Sequence, residues 1–316
     1  MSYFHFVPSE LNEIIISYAY PDELKTLLKT FDFIYVNWNT IYTYHFGSYS
    51  LINESEYLRK LGIEGLLVKL NLDYTINELI NLERLDLMDN QLELVPPEIG
   101  NLTNLQHLYL STNQLTQVPP EIGMLNNLEL LSFNNNQLER VPPEIGRLTN
   151  LQGLYLTSNQ LVQVPSEIGT LSNLKILYLS DNKLTQVPPE IGTLINLREL
   201  SLNNNQLTQI PPEIWNLTNL QELYLHNNKI TQVPPEIGNL NNLHKIGLSS
   251  NQLERVPPEI GRLTNLQYLN LSYNQLTQIP PEMVNLINLR ELLLKNNRLI
   301  QVPQEIRSLP NIRIYE

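Results

Sequence analysis

Aliphatic residues recur along this chain in a frame that is neither helical nor simply alternating. From position 82 to position 311 the order Leu-x-x-Leu-x-Leu-x-x-Asn-x-Leu-x-x-Val-Pro-Pro-Glu-Ile-Gly-x-Leu-x-Asn returns ten times without insertion or deletion, so that Asn90 is followed at equal spacing by Asn113, Asn136 and so on to Asn297. In the first of these coils, residues 82–104, Leu85 and Leu87 alternate with polar neighbours, which predicts a short strand with alternate side chains pointing in and out. Asn90 then turns the chain. Val95 is held extended by the proline that follows it, and Pro96 and Pro97 cannot donate to a ladder. Pro97, Glu98 and Ile99 suit a short helical turn, with proline in its first positions and Gly100 at its end. Leu82, Leu85, Leu87, Leu92, Val95, Ile99 and Leu102 are the inward set, and it repeats from coil to coil. The fixed Asn, from Asn90 to Asn297, is expected to be buried as well, and a buried amide is stable only where backbone groups of adjacent turns satisfy it. The Asn column is therefore read as a structural ladder.

A period in the range of roughly 20–29 residues with this leucine spacing resembles the leucine-rich repeats. More closely, the frame is similar to their 23-residue class, found in intracellular Ras-group scaffolds and in bacterial and viral repeat proteins. The resemblance implies an α/β solenoid: a leucine-rich repeat horseshoe of ten coils with parallel concave strands and short convex helical turns, preceded by a small helical module. It further implies protein binding through the concave strand face and no shared chemistry. Residues 136–152 recur identically at 251–267, an offset of 115, so the array is read as grown by duplication of a five-coil block.

Residues 1–50 lack the frame and are aromatic and isoleucine-rich. Pro8 opens one predicted helix with Leu11, Ile14, Ile15 and Tyr18 on one face, Pro21 opens a second, and Phe33, Ile34, Val36, Trp38 and Ile41 form a third apolar piece. The Val7-Pro8-x-Glu10-Leu11 opening, the Ile14-Ile15-x-Ser17-Tyr18 helix end, the Pro21-Asp22-x-Leu24 second helix and Trp38 resemble the start of an F-box. That resemblance implies contact with a Skp1-type adaptor through Pro8, Glu10, Leu11, Ile14, Ile15, Tyr18, Leu24 and Trp38. A plain N-terminal cap is the competing reading, because a solenoid must cover its first apolar face. Residues 51–81 are read as a linker with a degenerate capping half-repeat, in which Leu72, Ile76 and Leu79 match Val95, Ile99 and Leu102. Residues 82–311 hold the ten repeats, and 312–316 begin a truncated terminal strand.

A formal charge of −12 argues against nucleic acid, which needs a basic stripe. Ten of the 22 acidic residues after position 81 are the Glu that follows the second proline position, and the remaining 12 face 15 basic residues, so outside that column the array is close to neutral. Cysteine is absent, which rules out disulfide-bonded caps, and the start Met-Ser-Tyr-Phe-His-Phe lacks a signal peptide. With no apolar run long enough to cross a bilayer, the chain is expected to be intracellular and cytoplasmic, with no membrane partner. His5, His45, His107, His226 and His244 show no metal-ligand spacing, and no phosphate loop or nucleophile motif is present. No enzyme, cofactor, metal or small-molecule substrate is expected.

The residues that the frame leaves free are the outward strand positions. One column runs Asp86, Tyr109, Ser132, Tyr155, Tyr178, Ser201, Tyr224, Gly247, Asn270, Leu293 and holds four tyrosines. Tyrosine combines large area, few rotors and a polar tip, the profile of a binding hot spot. The candidate partner-binding set is Tyr109, Tyr155, Ile176, Tyr178, Glu199, Glu222, Tyr224, His226, Lys245 and Tyr268, in which tyrosine gives way to mixed charge towards the C-terminal coils. The expected function is non-catalytic protein–protein interaction, in the manner of an F-box-type substrate receptor of a ubiquitin ligase. The alternative is a scaffold regulating a GTPase or phosphatase, with the first helices serving only as a cap.

Overall fold

The computed structural model describes Leu66, Leu70 and residues 74–316. The expected helical module at 1–50, with every candidate adaptor contact from Pro8 to Trp38, lies outside the described residues. The described residues fall into two compact units: Leu66, Leu70 and 74–83 with Pro96–Asn104, and Arg84–Val95 with Leu105–Glu316.

In the first unit, helix α1 (Ile76–Ile80) starts at Thr75, whose hydroxyl accepts the Glu78 amide at 3.2 Å while the Glu78 carboxylate accepts the Thr75 amide at 2.8 Å. This reciprocal box satisfies two of the donors that a helix start leaves orphaned. Leu79 is fully buried, and Asn104 donates to the Ile80 carbonyl at 2.9 Å.

The second unit is one parallel sheet of eleven short strands in chain order, from β1 (Arg84–Asp86) to β11 (Arg313–Tyr315). Leu154 faces Leu177 and Leu177 faces Leu200, so each strand pairs with its equivalent in the next coil, and the middle residue of each is buried from β1 to β10, whereas Ile314 of β11 is half-buried. The last pair breaks the count. Leu292 faces Ile314, one position short of a full period, after Asn311 takes a left-handed φ of 62°. The terminal piece at 312–316 thus completes an eleventh strand whose register is displaced from the frame.

The helical turns that follow the strands are short 3-10 turns, as at Pro143–Arg147 and Pro189–Thr193, except the last, Gln304–Arg307, which is α-helical. Proline supplies φ without needing a donor, and the turn closes when the amide of Leu148 or Leu194 bonds back to Ile145 or Ile191. At Gly192 the absence of a side chain lets the next coil approach, since a Cβ there would sit 2.5 Å from the Glu213 carbonyl oxygen. Trp215 and Val284 occupy the same place in their coils, and Trp215 is buried at 1% exposure. Among the described residues, no helix is long and apolar enough to cross a membrane.

Between strand and ladder Asn, each coil passes through one left-handed residue: Asp89, Thr112, Asn135, Ser158, Asp181, Asn204, Asn227, Ser250, Tyr273 and Asn296 all have φ between 53° and 57°. Asn and Asp tolerate this region, whereas a bulky side chain is strained there. Tyr273 is 57% exposed, so little packing offsets its strain. Tyr273→Asn is expected to raise stability by about 1 kcal/mol, read as a higher urea midpoint at unchanged slope; a lower midpoint would show that the ring contributes more than the strain costs.

The Asn column forms a ladder, with a correction at its ends. In the middle coils the Nδ2 of Asn159 donates to Phe133 O at 3.0 Å and Leu156 O at 3.1 Å, and its Oδ1 accepts the amide of Leu138 at 3.0 Å. The same pattern runs from Asn113 to Asn274, all buried. Asn90 is instead exposed, its amide donating to Met88 O, and Asn297 is half-buried.

Candidate functional site

The frame turns every second strand residue outward, and the parallel register stacks those residues in rows across neighbouring strands about 4.8 Å apart. On β4 (Gly153–Tyr155), β5 (Ile176–Tyr178), β6 (Glu199–Ser201), β7 (Glu222–Tyr224) and β8 (Lys245–Gly247) one row reads Gly153, Ile176, Glu199, Glu222, Lys245. The next row reads Tyr155, Tyr178, Ser201, Tyr224, Gly247.

Tyr155 and Tyr178 meet edge to face, with ring centroids 5.4 Å apart at 90°. Tyr155 folds back over Gly153, where an added Cβ would lie 2.9 Å from the ring; the glycine makes room for it. The Tyr178 hydroxyl crosses to the next strand and donates to Glu199. Tyr224 donates to Glu222 on its own strand at 2.6 Å, and the other Glu222 oxygen pairs with Lys245 at 2.7 Å. Its ring stands edge-on to His226 at 6.4 Å, and both lie beside Gly247, where a Cβ would be 3.3 Å from His226 Nδ1. Ser201, between the two tyrosine strands, is buried at 7% and donates to Asn203 at 2.6 Å.

These contacts correct the expectation that the tyrosines simply face solvent. Tyr109, Tyr155, Tyr178 and Tyr224 are all half-buried, because each ring lies down on its neighbours. Among the candidate residues, Tyr155 and Tyr178 come together, as do Tyr178 with Glu199 and Tyr224 with Glu222, Lys245 and His226. Tyr109 stands apart, its ring 4.6 Å below the Arg84 guanidinium. Tyr268 accepts the Asn270 amide at 3.3 Å. Gly153, Ser201 and Gly247 belong to the site but not to the candidate set, although a glycine inside a strand signals close approach of another group.

Burial, then hydrogen bonding to a carboxylate, pushes the Tyr178 and Tyr224 hydroxyls above their ordinary value, so both remain donors at neutral pH. Burial also raises the Tyr155 hydroxyl. Burial pushes the Glu222 carboxyl up, but Lys245 and the Tyr224 hydroxyl outweigh it and hold the group below the usual value. His226 is lowered by burial, with Asp181 opposing. A folded value below the unfolded one means that the fold favours neutral imidazole. Its contribution is complete above about pH 6.5 and is lost as pH falls through the lower folded value. Melting followed from about pH 8 to about pH 5 is expected to decline more steeply for the native chain than for His226→Gln; parallel profiles would remove His226 from the acid response.

Among the described residues, no group of three or more His, Asp or Glu could hold a metal ion. Two grooves of about 730 and 690 Å³ open where the duplicated segment places Arg140 and Arg255 among the prolines of three consecutive coils.

The sequence matches the family described as leucine-rich repeat region over residues 40–177 and that described as leucine rich repeat over 172–230, 195–253 and 241–299. Among solved structures, the plant peptide hormone receptor RGFR1 in complex with RGF2 is similar at 37% identity and a TM-score of 0.69, over 74% of this chain and 39% of the receptor chain. The LRR ectodomain of the membrane receptor kinase GASSHO1/SCHENGEN3 from Arabidopsis thaliana, in complex with CASPARIAN STRIP INTEGRITY FACTOR 2, gives 33% and 0.69, over 73% of this chain and 29% of that one. The chain thus spans well under half the length of either plant receptor. The Leptospira interrogans LRR protein LIC12759 matches at 31% identity and a TM-score of 0.52, over 85% of this chain and 88% of that chain. No sequence among functionally curated proteins matches.

Proposed function

The chain belongs to the leucine-rich repeat proteins, and on that premise we propose that it is a non-catalytic binding protein that holds a protein or peptide partner on the strand face between β4 and β8. The observation that carries this reading is the run of half-buried rings at Tyr155, Tyr178 and Tyr224, held in fixed orientations by each other and by Glu199 and Glu222. Rings locked before binding lose little entropy on contact, and rigid aromatic anchors are where interfaces concentrate their energy. The two plant structures, each in complex with RGF2 or CASPARIAN STRIP INTEGRITY FACTOR 2, support such a role for a surface of this fold.

Affinity capture from an extract of the source organism, followed by mass spectrometry, tests the reading. A partner held by the native chain is expected to be lost with Tyr155→Ala/Tyr178→Ala and retained with Ile195→Ser, an exposed position away from the strands. Equal capture by both variants would overturn the assignment to the strand face. Because the tyrosine pair is packed, its removal is also expected to lower the melting temperature, so both variants are compared well below their midpoints.

The Val7-Pro8-x-Glu10-Leu11 opening and Trp38 favour a second role for residues 1–50, recruitment of a Skp1-type adaptor by an F-box-type substrate receptor. The intact chain is then expected to retain a Skp1 homologue in a pull-down and Leu11→Asp to lose it. No retention by the native chain would leave those residues with a capping role.

A further inference from the structure

We infer that the β6–β7 part of the strand face is a receptor site for a cationic side chain, a lysine or arginine carried by a segment of the partner protein, with Glu199 as its counter-charge. The inference rests on the strand-face reading above and adds the chemistry of the ligand.

Charge along the row is the starting point. In register across β5 to β8 stand Ile176, Glu199, Glu222 and Lys245. Glu222 is compensated, since Lys245 pairs with it at 2.7 Å and Tyr224 donates at 2.6 Å. Glu199 has the same kind of tyrosine donor, the Tyr178 hydroxyl, but no cation pairs with it among the described residues. Two acids side by side on adjacent strands repel, and the single lysine leaves one negative charge over. That charge is half-buried, where it interacts more strongly with an incoming cation than a fully solvated carboxylate would.

The surroundings narrow the ligand further. The Tyr178 and Tyr224 rings flank the strand that carries Glu199, and both direct their hydroxyls at the carboxylates. Rings beside carboxylate oxygens suit a cation on an aliphatic stem, with the stem lying on the rings and the head at the acid. The rings cannot relieve the acid themselves, because their hydroxyls are neutral donors whose deprotonation the adjacent carboxylates oppose. Charge complementarity therefore selects a basic residue over an acidic or purely apolar one.

The test uses a random linear dodecapeptide display library panned against the folded intact chain, against Glu199→Gln and against Tyr155→Ala/Tyr178→Ala. Gln at 199 can still accept the Tyr178 hydroxyl, so this variant removes charge and little else. Peptides selected by the native chain are expected to carry Lys or Arg at one fixed position, to bind Glu199→Gln at least about tenfold more weakly, a loss of about 1.4 kcal/mol, and to lose that preference when selected on Glu199→Gln. Peptides that require the tyrosine pair but show no basic preference, or bind Glu199→Gln equally, would overturn the cation site and leave the strand-face reading intact. Peptides indifferent to both variants, or no selected peptides at all, would overturn both.

Discussion

Truncating Leu177 to alanine is expected to cost about 2–5 kcal/mol of stability, the range for large-to-small changes at sites that cannot collapse. Leu177 is fully buried at the centre of β5, between Leu154 and Leu200, which are also fully buried. Coils on both sides are pinned by backbone bonds such as Leu156 N to Tyr178 O at 2.8 Å and Leu179 N to Ser201 O at 2.8 Å, so neighbouring strands cannot close on the gap without breaking ladder bonds. In a repeat array each coil is held only by its neighbours, and a weak coil divides the array. Urea unfolding of Leu177→Ala is expected to show a lower midpoint and a broadened or split transition. An unchanged midpoint would mean that the coils repack freely, contrary to the close contacts described for this sheet.

Asn182→Ala is expected to cost a comparable amount, on the order of 3 kcal/mol, although it removes far less apolar surface. Its Oδ1 accepts the Leu161 amide at 2.9 Å, and its Nδ2 donates to Leu156 O at 2.9 Å and Leu179 O at 3.1 Å. Alanine would leave the buried Leu161 N–H without a partner, at about 1–3 kcal/mol, and would take one of two donors from Leu156 O and Leu179 O, which keep Asn159 and Asn205, at about 0.5–1.5 kcal/mol each. Asn90→Ala is the internal control, since Asn90 is exposed and its side-chain amide donates to Met88 O, and it is expected to cost under about 1 kcal/mol. Equal effects at the two positions would show that helix or turn propensity, rather than ladder satisfaction, sets the value of the column.

The tyrosine stripe shows how far outward positions can be read in advance. That Tyr155 and Tyr178 are neighbours follows from the repeat spacing alone. That Tyr178 leans towards Glu199 while Tyr224 turns back to Glu222 does not follow, since the two residues have the same place in the frame and differ only in what surrounds them. The direction of each ring is decided by its own neighbours: Glu199 on the next strand draws Tyr178 forward, and Gly153 lets Tyr155 lie back. Replacing these rings therefore also removes packing and hydrogen bonds within the sheet, which solvent-facing side chains would not supply.

The sequence by itself determined the inward set of the middle coils, the position of every strand from β1 to β10 and the place of the structural Asn, because a strict period forces equivalent residues into equivalent environments, while Leu82 and Leu92 of the first coil are only half-buried. It also determined that proline and glycine bracket most of these turns, since those residues restrict or free the backbone locally. Only the tertiary structure decided what depends on stacking. The ladder amide is buried from Asn113 to Asn274 and exposed at Asn90. Tyr273 is held left-handed because its coil must turn at the same point as its neighbours, whatever the side chain prefers. Ile314 takes the inward place at β11 because pairing with Leu292 outweighs the count of the frame. In each case a contact between residues far apart in the chain overrides a preference that could be read from the residue alone.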